Sequence, residues 1–289
     1  MGQGSGQSKV NRKLLKKIVR TLHTILPLRL FNGMYHIMFP LYKGIIRFCY
    51  GLKGYLYYRF SDSECWLAVK IIYSIMPYTL VGIGGLEATY KVARHLNREK
   101  VDGDFVELGV ARGGCAALMG KVIFDKDELE RFQRNLWLFD SFEGLPDPTV
   151  DDYDVVKGEG TGDHVHVLSK GACLGTLEEV RKLMLNIMCF PADKVIFVKG
   201  WFQDTIPLYR DRIQKIALLR VDGDWYESTK CCLEGLYDKV VAGGAVIIDD
   251  YSSCYGCQKA VDEFISNRKL KVEIELDGRG GCYVFKPGI

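Results

Sequence analysis

The chain has 289 residues, with a hydrophobic share of 48% and a charged share of 26%. That length suits one large domain with an extension, or two small domains, and those shares exclude a disordered chain. The net charge of +3 hides an asymmetry: residues 1–60 hold eleven of the 39 Lys and Arg and none of the 36 Asp and Glu. That stretch is therefore +11, and the remainder, with 28 basic and 36 acidic residues, is −8. A basic arm of this kind is expected to meet phosphate-rich surfaces, lipid or nucleic acid.

The arm comes first along the chain. Over 9–31 the residues Leu14, Leu15, Ile18, Val19, Leu22, Ile25 and Leu26 recur at helical spacing, with Lys13, Lys16, Lys17 and Arg20 on the other side. The pattern predicts a basic amphipathic helix of the type that lies in a membrane interface. An aromatic-rich stretch follows, with Lys43, Arg47 and Lys53 spaced through it. No run of about 20 uncharged apolar residues exists, so a transmembrane span is not expected. Charges interrupt every apolar run, which argues against a cleavable secretory signal. Gly2 suits N-myristoylation, but Gly6 stands where that signal takes Ser or Thr. One reading of residues 1–61 is peripheral contact with the cytoplasmic face of a membrane. The rival reading is a helical extension packed on the following domain or joining two copies as a homodimer. Nucleic acid is not expected, because no nucleic-acid module accompanies the charge.

From residue 62 the chain reads as one domain, 62–289, of alternating helices and short apolar strands. Strands are predicted at 104–108, 135–140, 194–200, 215–222 and 244–250, with helices near 115–132, 176–188 and 229–240. Such alternation means right-handed crossovers and a mostly parallel, doubly wound α/β sheet. Two last strands, 271–276 and 282–286, flank the turn sequence DGRGG and predict an antiparallel hairpin. The one long irregular piece, 146–175, is rich in Gly and Asp and predicts a lid or substrate loop. The ten cysteines show no paired framework and no metal-finger spacing. Cys231 and Cys232 are adjacent, and Cys254 and Cys257 form a lone C-x-x-C without thioredoxin-like surroundings. Cys115, Cys189 and Cys282 sit in apolar stretches, where Cys acts as a small hydrophobe. This usage predicts a reducing compartment, the cytoplasm.

Ligands of an open parallel sheet bind beyond the carboxyl ends of its strands. The first strand ends Glu107-Leu108-Gly109-Val110-Ala111-Arg112-Gly113-Gly114 and enters a helix. The second ends at Asp140, 33 residues after Glu107, where an acid can accept both hydroxyls of a ribose. A glycine turn and two acids, without the dinucleotide G-x-G-x-x-G, suit a nucleoside that lacks a pyrophosphate, as in S-adenosylmethionine. The fourth strand ends Asp222-Gly223-Asp224 and the fifth Asp249-Asp250. Neighbouring strand ends lie about 5 Å apart, so these carboxylates converge. They repel one another unless a cation sits between them, and hard oxygen donors favour Mg²⁺.

These motifs resemble the macrocin O-methyltransferase (TylF-type) family, which methylates sugar hydroxyls of antibiotics. The matching stretches are GDFVELGVARGG (103–114), LFDSFEGLP (138–146), VKGWFQDTIP (198–207), LRVDGDWYEST (219–229) and GGAVIIDDY (243–251), with a looser match at 79–88. The resemblance implies a class I methyltransferase sheet of seven strands, whose final hairpin supplies the one antiparallel strand. It implies that Glu107, Gly109, Val110 and Gly113 hold the methionine part of S-adenosylmethionine and that Asp140 and Ser141 hold the ribose. Gly200, Trp201 and Phe202 would lie near the adenine. Asp222, Asp249 and Asp250 would bind Mg²⁺, with Asp222 also beside the cofactor, and Asp224 would be the general base. The basic arm and the cysteine-rich SSCYGCQ after Asp250 depart from the family's pattern, and both bear on the acceptor.

The expected reaction is Mg²⁺-assisted methyl transfer from S-adenosylmethionine to a small-molecule hydroxyl. A sugar-type hydroxyl is favoured by the resemblance alone, and a catechol, which chelates equally well, stays open. Two rival readings are weighed. A nicotinamide-dependent oxidoreductase requires the absent dinucleotide fingerprint. A membrane-associated, non-catalytic S-adenosylmethionine-binding protein predicts loss of the acidic cluster, and every acid is present.

Overall fold

The computed structural model of the chain describes residues 28–153 and 168–288. These residues divide into two compact units with the boundary between Val69 and Lys70. The helix expected over 9–31 lies outside the described residues, apart from 28–31. The boundary expected after residue 61 falls in the turn between the first two described helices.

The first unit is built on α1 (Leu28–Tyr58), which runs through the aromatic-rich stretch, and on the start of α2 (Ser63–Ile75). Asp62 ends one and opens the next: its Oδ1 accepts the Cys65 backbone N–H at 2.8 Å, so a carboxylate caps the new helix. The two helices pack closely at Gly54, where an added Cβ would lie 2.3 Å from Val69 Cγ1. Tyr55 meets Trp66 edge to face at 6.2 Å. Among the described residues no helix is long and apolar enough to cross a membrane.

The second unit is a doubly wound sheet. Its helices and strands alternate as the sequence predicts: α3 (Ile83–Arg98), β1 (Asp104–Leu108), α4 (Gly114–Ile123), α5 (Lys126–Arg131), β2 (Leu136–Asp140), α6 (Leu177–Arg181), β3 (Val195–Lys199), α7 (Phe202–Tyr209), β4 (Ile216–Val221), α8 (Tyr226–Leu236), β5 (Val240–Ile248), α9 (Tyr255–Asn267), β6 (Glu275–Leu276) and β7 (Cys282–Phe285). The strand order is β3-β2-β1-β4-β5-β7-β6. β1 to β5 pair in parallel, and β7 runs antiparallel to both of its neighbours. The expected hairpin at the end of the chain is therefore present.

Three local differences have physical causes. The helix expected over 115–132 is broken at Phe124–Asp125, because Asp125 caps a new start by accepting the Asp127 N–H. The helix expected over 176–188 begins with a Thr176–Glu179 capping box and then widens into a π-helix over Lys182–Ile187. β6 has only two residues, since it lies at the sheet edge and pairs with β7 alone.

Alternation along the strands divides the core. Val106, Leu108, Leu219 and Val221 pack under Ile206 of α7, Leu233 of α8 and Phe264 of α9. The opposite face carries Phe105, Glu107, Leu218 and Arg220, and α3 and α4 pack against each other on the sheet. At the amino end of β1, Asp104 ties two strands together. Its carboxylate accepts from the Asn135 backbone N–H at 2.8 Å and from Trp137 Nε1 at 2.8 Å. Asp104→Ala leaves the largely buried indole N–H unpaired, and a loss of about 1–3 kcal/mol is expected. Urea unfolding measures it; an unchanged midpoint would show that water replaces the carboxylate at no cost.

Candidate active site

The parallel ladder continues one residue beyond several strands, and that lines up their carboxyl ends. Gly109 N–H donates to Phe139 O at 2.9 Å, Gly200 N–H to Asp140 O at 2.9 Å, Asp222 N–H to Leu108 O at 2.8 Å and Asp249 N–H to Val221 O at 3.0 Å. Gly109 sits at φ +89°, and a Cβ there would fall 1.8 Å from the carbonyl oxygen of Asp222. Only glycine allows β1 and β4 to end this close together. Above the strand ends lies a cavity of about 560 Å³.

Behind the acids of the cavity wall Arg220 is fully buried and reaches three of them. The register of β1 and β4 sets Arg220 opposite Glu107. Nη1 of Arg220 donates to Glu107 Oε1 at 2.9 Å and to Asp222 Oδ2 at 2.8 Å, while Nη2 donates to Asp249 Oδ1 at 2.5 Å. A second guanidinium comes from the hairpin turn: Arg279 Nη1 donates to Asp249 Oδ2 at 2.7 Å. Room for Arg279 comes from the glycines that open α3, since a Cβ on Gly82 would lie 2.9 Å from its Nε.

Burial and charge then sort the acids. Burial raises Glu107, against the pull of Arg220, to about 8. Burial also works to raise Asp249, but Arg220 and Arg279 outweigh it and hold that carboxyl below the usual value. Asp222 is raised by burial and by the charge of Asp249. Asp224 and Asp250 lie well above the usual value, through burial first and then through repulsion from the neighbouring acids. Two groups of three bring their ligand atoms within 4.8 Å of one another: Asp222, Asp249 and Asp250, and Asp224, Asp250 and Cys254. Asp224 adopts φ +54°, a left-handed conformation that Asp tolerates better than most residues, just before α8.

Eleven of the expected site residues line this one cavity: the turn residues Glu107, Gly109 and Val110, Asp140 and Ser141 after β2, Trp201 and Phe202 after β3, and Asp222, Asp224, Asp249 and Asp250. Gly113 and Gly200 are not part of the lining. Gly113, at φ +82°, stands just before α4, and a Cβ there would meet Val180, Leu183 and Met184. Gly200 serves the backbone at φ +140°. Glu107 is 1% exposed, with Oε1 bonded to Arg220 and Oε2 buried without a partner among the described residues. Asp140 braces the turn: Oδ2 accepts the N–H groups of Val110 and Ala111 at 2.7 and 2.9 Å, and Oδ1 accepts that of Phe142 at 2.6 Å. A ribose would have to share these oxygens.

Sequence reasoning singled out neither arginine. Arg220 was visible as a charge inside an apolar strand, and Arg279 as a charge inside a glycine turn next to the acid-bearing strand. Both ends of the 146–175 loop reach the cavity through Pro146, Thr149, Leu168 and Cys173. All ten cysteines are free thiols. Cys254 and Cys257 are buried as small apolar groups, as are Cys115 and Cys282, whereas Cys189 is exposed at a left-handed turn, contrary to expectation.

A seven-stranded sheet with a reversed β7, a glycine turn after β1 and an acid after β2 define a class I, S-adenosylmethionine-dependent methyltransferase. Comparison with known proteins agrees. The family model "Macrocin-O-methyltransferase (TylF)" matches residues 71–284, and the chain belongs to that family of O-methyltransferases. It is 37% identical over 208 residues, 71% of this chain and 74% of the relative, to demethyldecarbamoylnovobiocin O-methyltransferase of Streptomyces niveus. It is 34% identical over 206 residues, again 71% and 74%, to 8-demethyl-8-(2,3-dimethoxy-alpha-L-rhamnosyl)-tetracenomycin-C 4'-O-methyltransferase of Streptomyces olivaceus. The solved structure of the O-methyltransferase NovP covers 73% of this chain and 83% of its own, at 34% identity and a TM-score of 0.62.

Removing Arg220 while keeping its bulk leaves three buried acids facing one another. Arg220→Met is therefore expected to destabilise the protein by about 3–5 kcal/mol. Guanidinium unfolding checks this, and a variant as stable as the parent would mean that the acids are neutralised by protons instead.

Proposed function

We propose that the chain transfers a methyl group from S-adenosylmethionine to a hydroxyl of a sugar or related polyol-bearing small molecule, with Mg²⁺ assisting. The charge balance at the strand ends carries this reading. Glu107 and four aspartates meet two arginines there, and three carboxylates bring oxygens within 4.8 Å of one another. The donors are hard oxygens, and a divalent cation between them would relieve the repulsion that raises Asp224 and Asp250, so the residues fit one. Asp222, Asp249 and Asp250 would hold it. The acceptor class is supported by the relatives, one of which is named for a rhamnosyl substrate.

When bound, S-adenosylmethionine supplies an electrophilic sulfonium methyl, and Mg²⁺ supplies a Lewis acid that eases ionisation of an alcohol. The chain's own part is placement and proton transfer. Asp140 fixes the turn through the Val110 and Ala111 amides, so that the backbone around Gly109 faces the methionine part. Ser141 stands beside it toward the ribose, and Trp201 and Phe202 offer apolar surface to the adenine. Asp224, turned into the cavity by its left-handed backbone, takes the proton from the acceptor hydroxyl. The two ends of the 146–175 loop contact the rest of the acceptor. Orientation of this kind contributes as much as the proton transfer itself.

Two measurements test the reading. Chelator is expected to abolish methyl transfer and Mg²⁺ to restore it; full turnover in excess chelator removes the cation. Asp224→Asn is expected to lower kcat by about 10²–10⁴, while calorimetry shows unchanged binding of S-adenosylmethionine. Wild-type turnover in that variant assigns the proton to another group.

A further inference from the structure

Helix α1 presents an apolar stripe that the methyltransferase reading does not use. Leu41, Ile45, Phe48, Leu52 and Leu56 are each between 46% and 68% exposed. Their spacing of four, three, four and four residues sets them on one face of the helix. Tyr42 and Tyr55 border the stripe and are exposed as well. The packed side of the same helix is elsewhere, at Gly54 against Val69. A run of large apolar side chains left toward solvent marks an interaction surface.

Charge selects the occupant. Residues 1–60 carry eleven cations and no acid, and Lys53 on α1 and Arg59 just past its end are exposed. A second copy of α1 would bring four more cations and no acid to pair them, so the helix opposes its own duplicate. An anionic lipid surface offers opposite charge outside and apolar chains within reach of the stripe, and aromatic residues suit the boundary between the two. Among the described residues no helix is long and apolar enough to cross a membrane, and the one-sided stripe suits a helix that lies along the surface.

We infer that α1 binds anionic bilayers in the plane of the interface, inserting Leu41, Ile45, Phe48, Leu52 and Leu56 below the headgroups. The purified full chain is tested against phosphatidylcholine vesicles with and without phosphatidylglycerol. It is expected to sediment with the anionic vesicles at low salt, to be released at high salt as screening shortens, and to ignore the neutral ones. Phe48→Ser with Leu52→Ser is expected to weaken partition about tenfold or more for each side chain replaced, with an unchanged thermal midpoint because both residues are exposed. Three outcomes overturn the inference. The parent protein stays in solution with anionic vesicles; the double variant sediments as well as the parent; or, without lipid, the parent is an oligomer that the double variant breaks into monomers, which gives the face to a second copy. A variant with a lowered midpoint is replaced by Phe48→Ala with Leu52→Ala, for which the same loss of partition is required.

Discussion

A single guanidinium, buried where a charge is costly, sets the terms for the catalytic end of the sheet. Arg220 lies inside β4 with no exposure, and it is tolerable there only because Glu107, Asp222 and Asp249 surround it. The dependence runs both ways. Without Arg220 those acids would face one another with no counter-charge in a low-dielectric space. With it, Asp249 stays ionised and Asp222 is held at a fixed place on the cavity wall.

The same residue explains why the strands end where they do. Arg220 can reach Glu107 only in the register that sets the two opposite each other across β1 and β4. That register also brings the carbonyl of Asp222 against Gly109, where no side chain fits. The glycine of the turn and the acid after β4 are therefore parts of one close approach. Asp140 extends the arrangement to β2 by accepting two amides of the same turn. On this side of the cavity charge pairing, backbone contact and a buried carboxylate each require the same alignment.

Much of this was legible in the sequence. Strand ends were readable because each apolar run stops at Gly or Asp, and the doubly wound order follows from alternation. The acids after β4 and β5 were identifiable as a converging group. Their counter-ions were not. The sequence argument that clustered carboxylates require a cation is met in part by the chain itself, and that depends on register and on a hairpin folding back beside β5. Arg279 lies 30 residues from Asp249, and no local pattern announces their contact. Likewise Gly113 stands in the motif like Gly109, yet a Cβ there would meet Val180 of α6 and Leu183 and Met184 of the π-helix after it, and it does not line the cavity. The interface helix expected over 9–31 falls outside the described residues, and the apolar stripe lies further on, in α1.

The two arginines do different work because of where they are anchored. Arg220 sits in a central strand between two others, so its position is set by the sheet as a whole. Arg279 sits in the turn between β6 and β7, braced by Asp277, which accepts the N–H groups of Arg279, Gly280 and Gly281 through Oδ1. Its guanidinium reaches Asp249 only once β7 has paired with β5 in reverse. The antiparallel strand that distinguishes this sheet is thus also what delivers the second positive charge to the cavity. An acidic centre assembled from β1, β4 and β5 would otherwise carry one cation for five carboxylates. With the hairpin in place two guanidinium groups face the five acids, and Asp224 and Asp250, which no arginine pairs among the described contacts, are the two that burial and the neighbouring acids hold well above the usual carboxylate range.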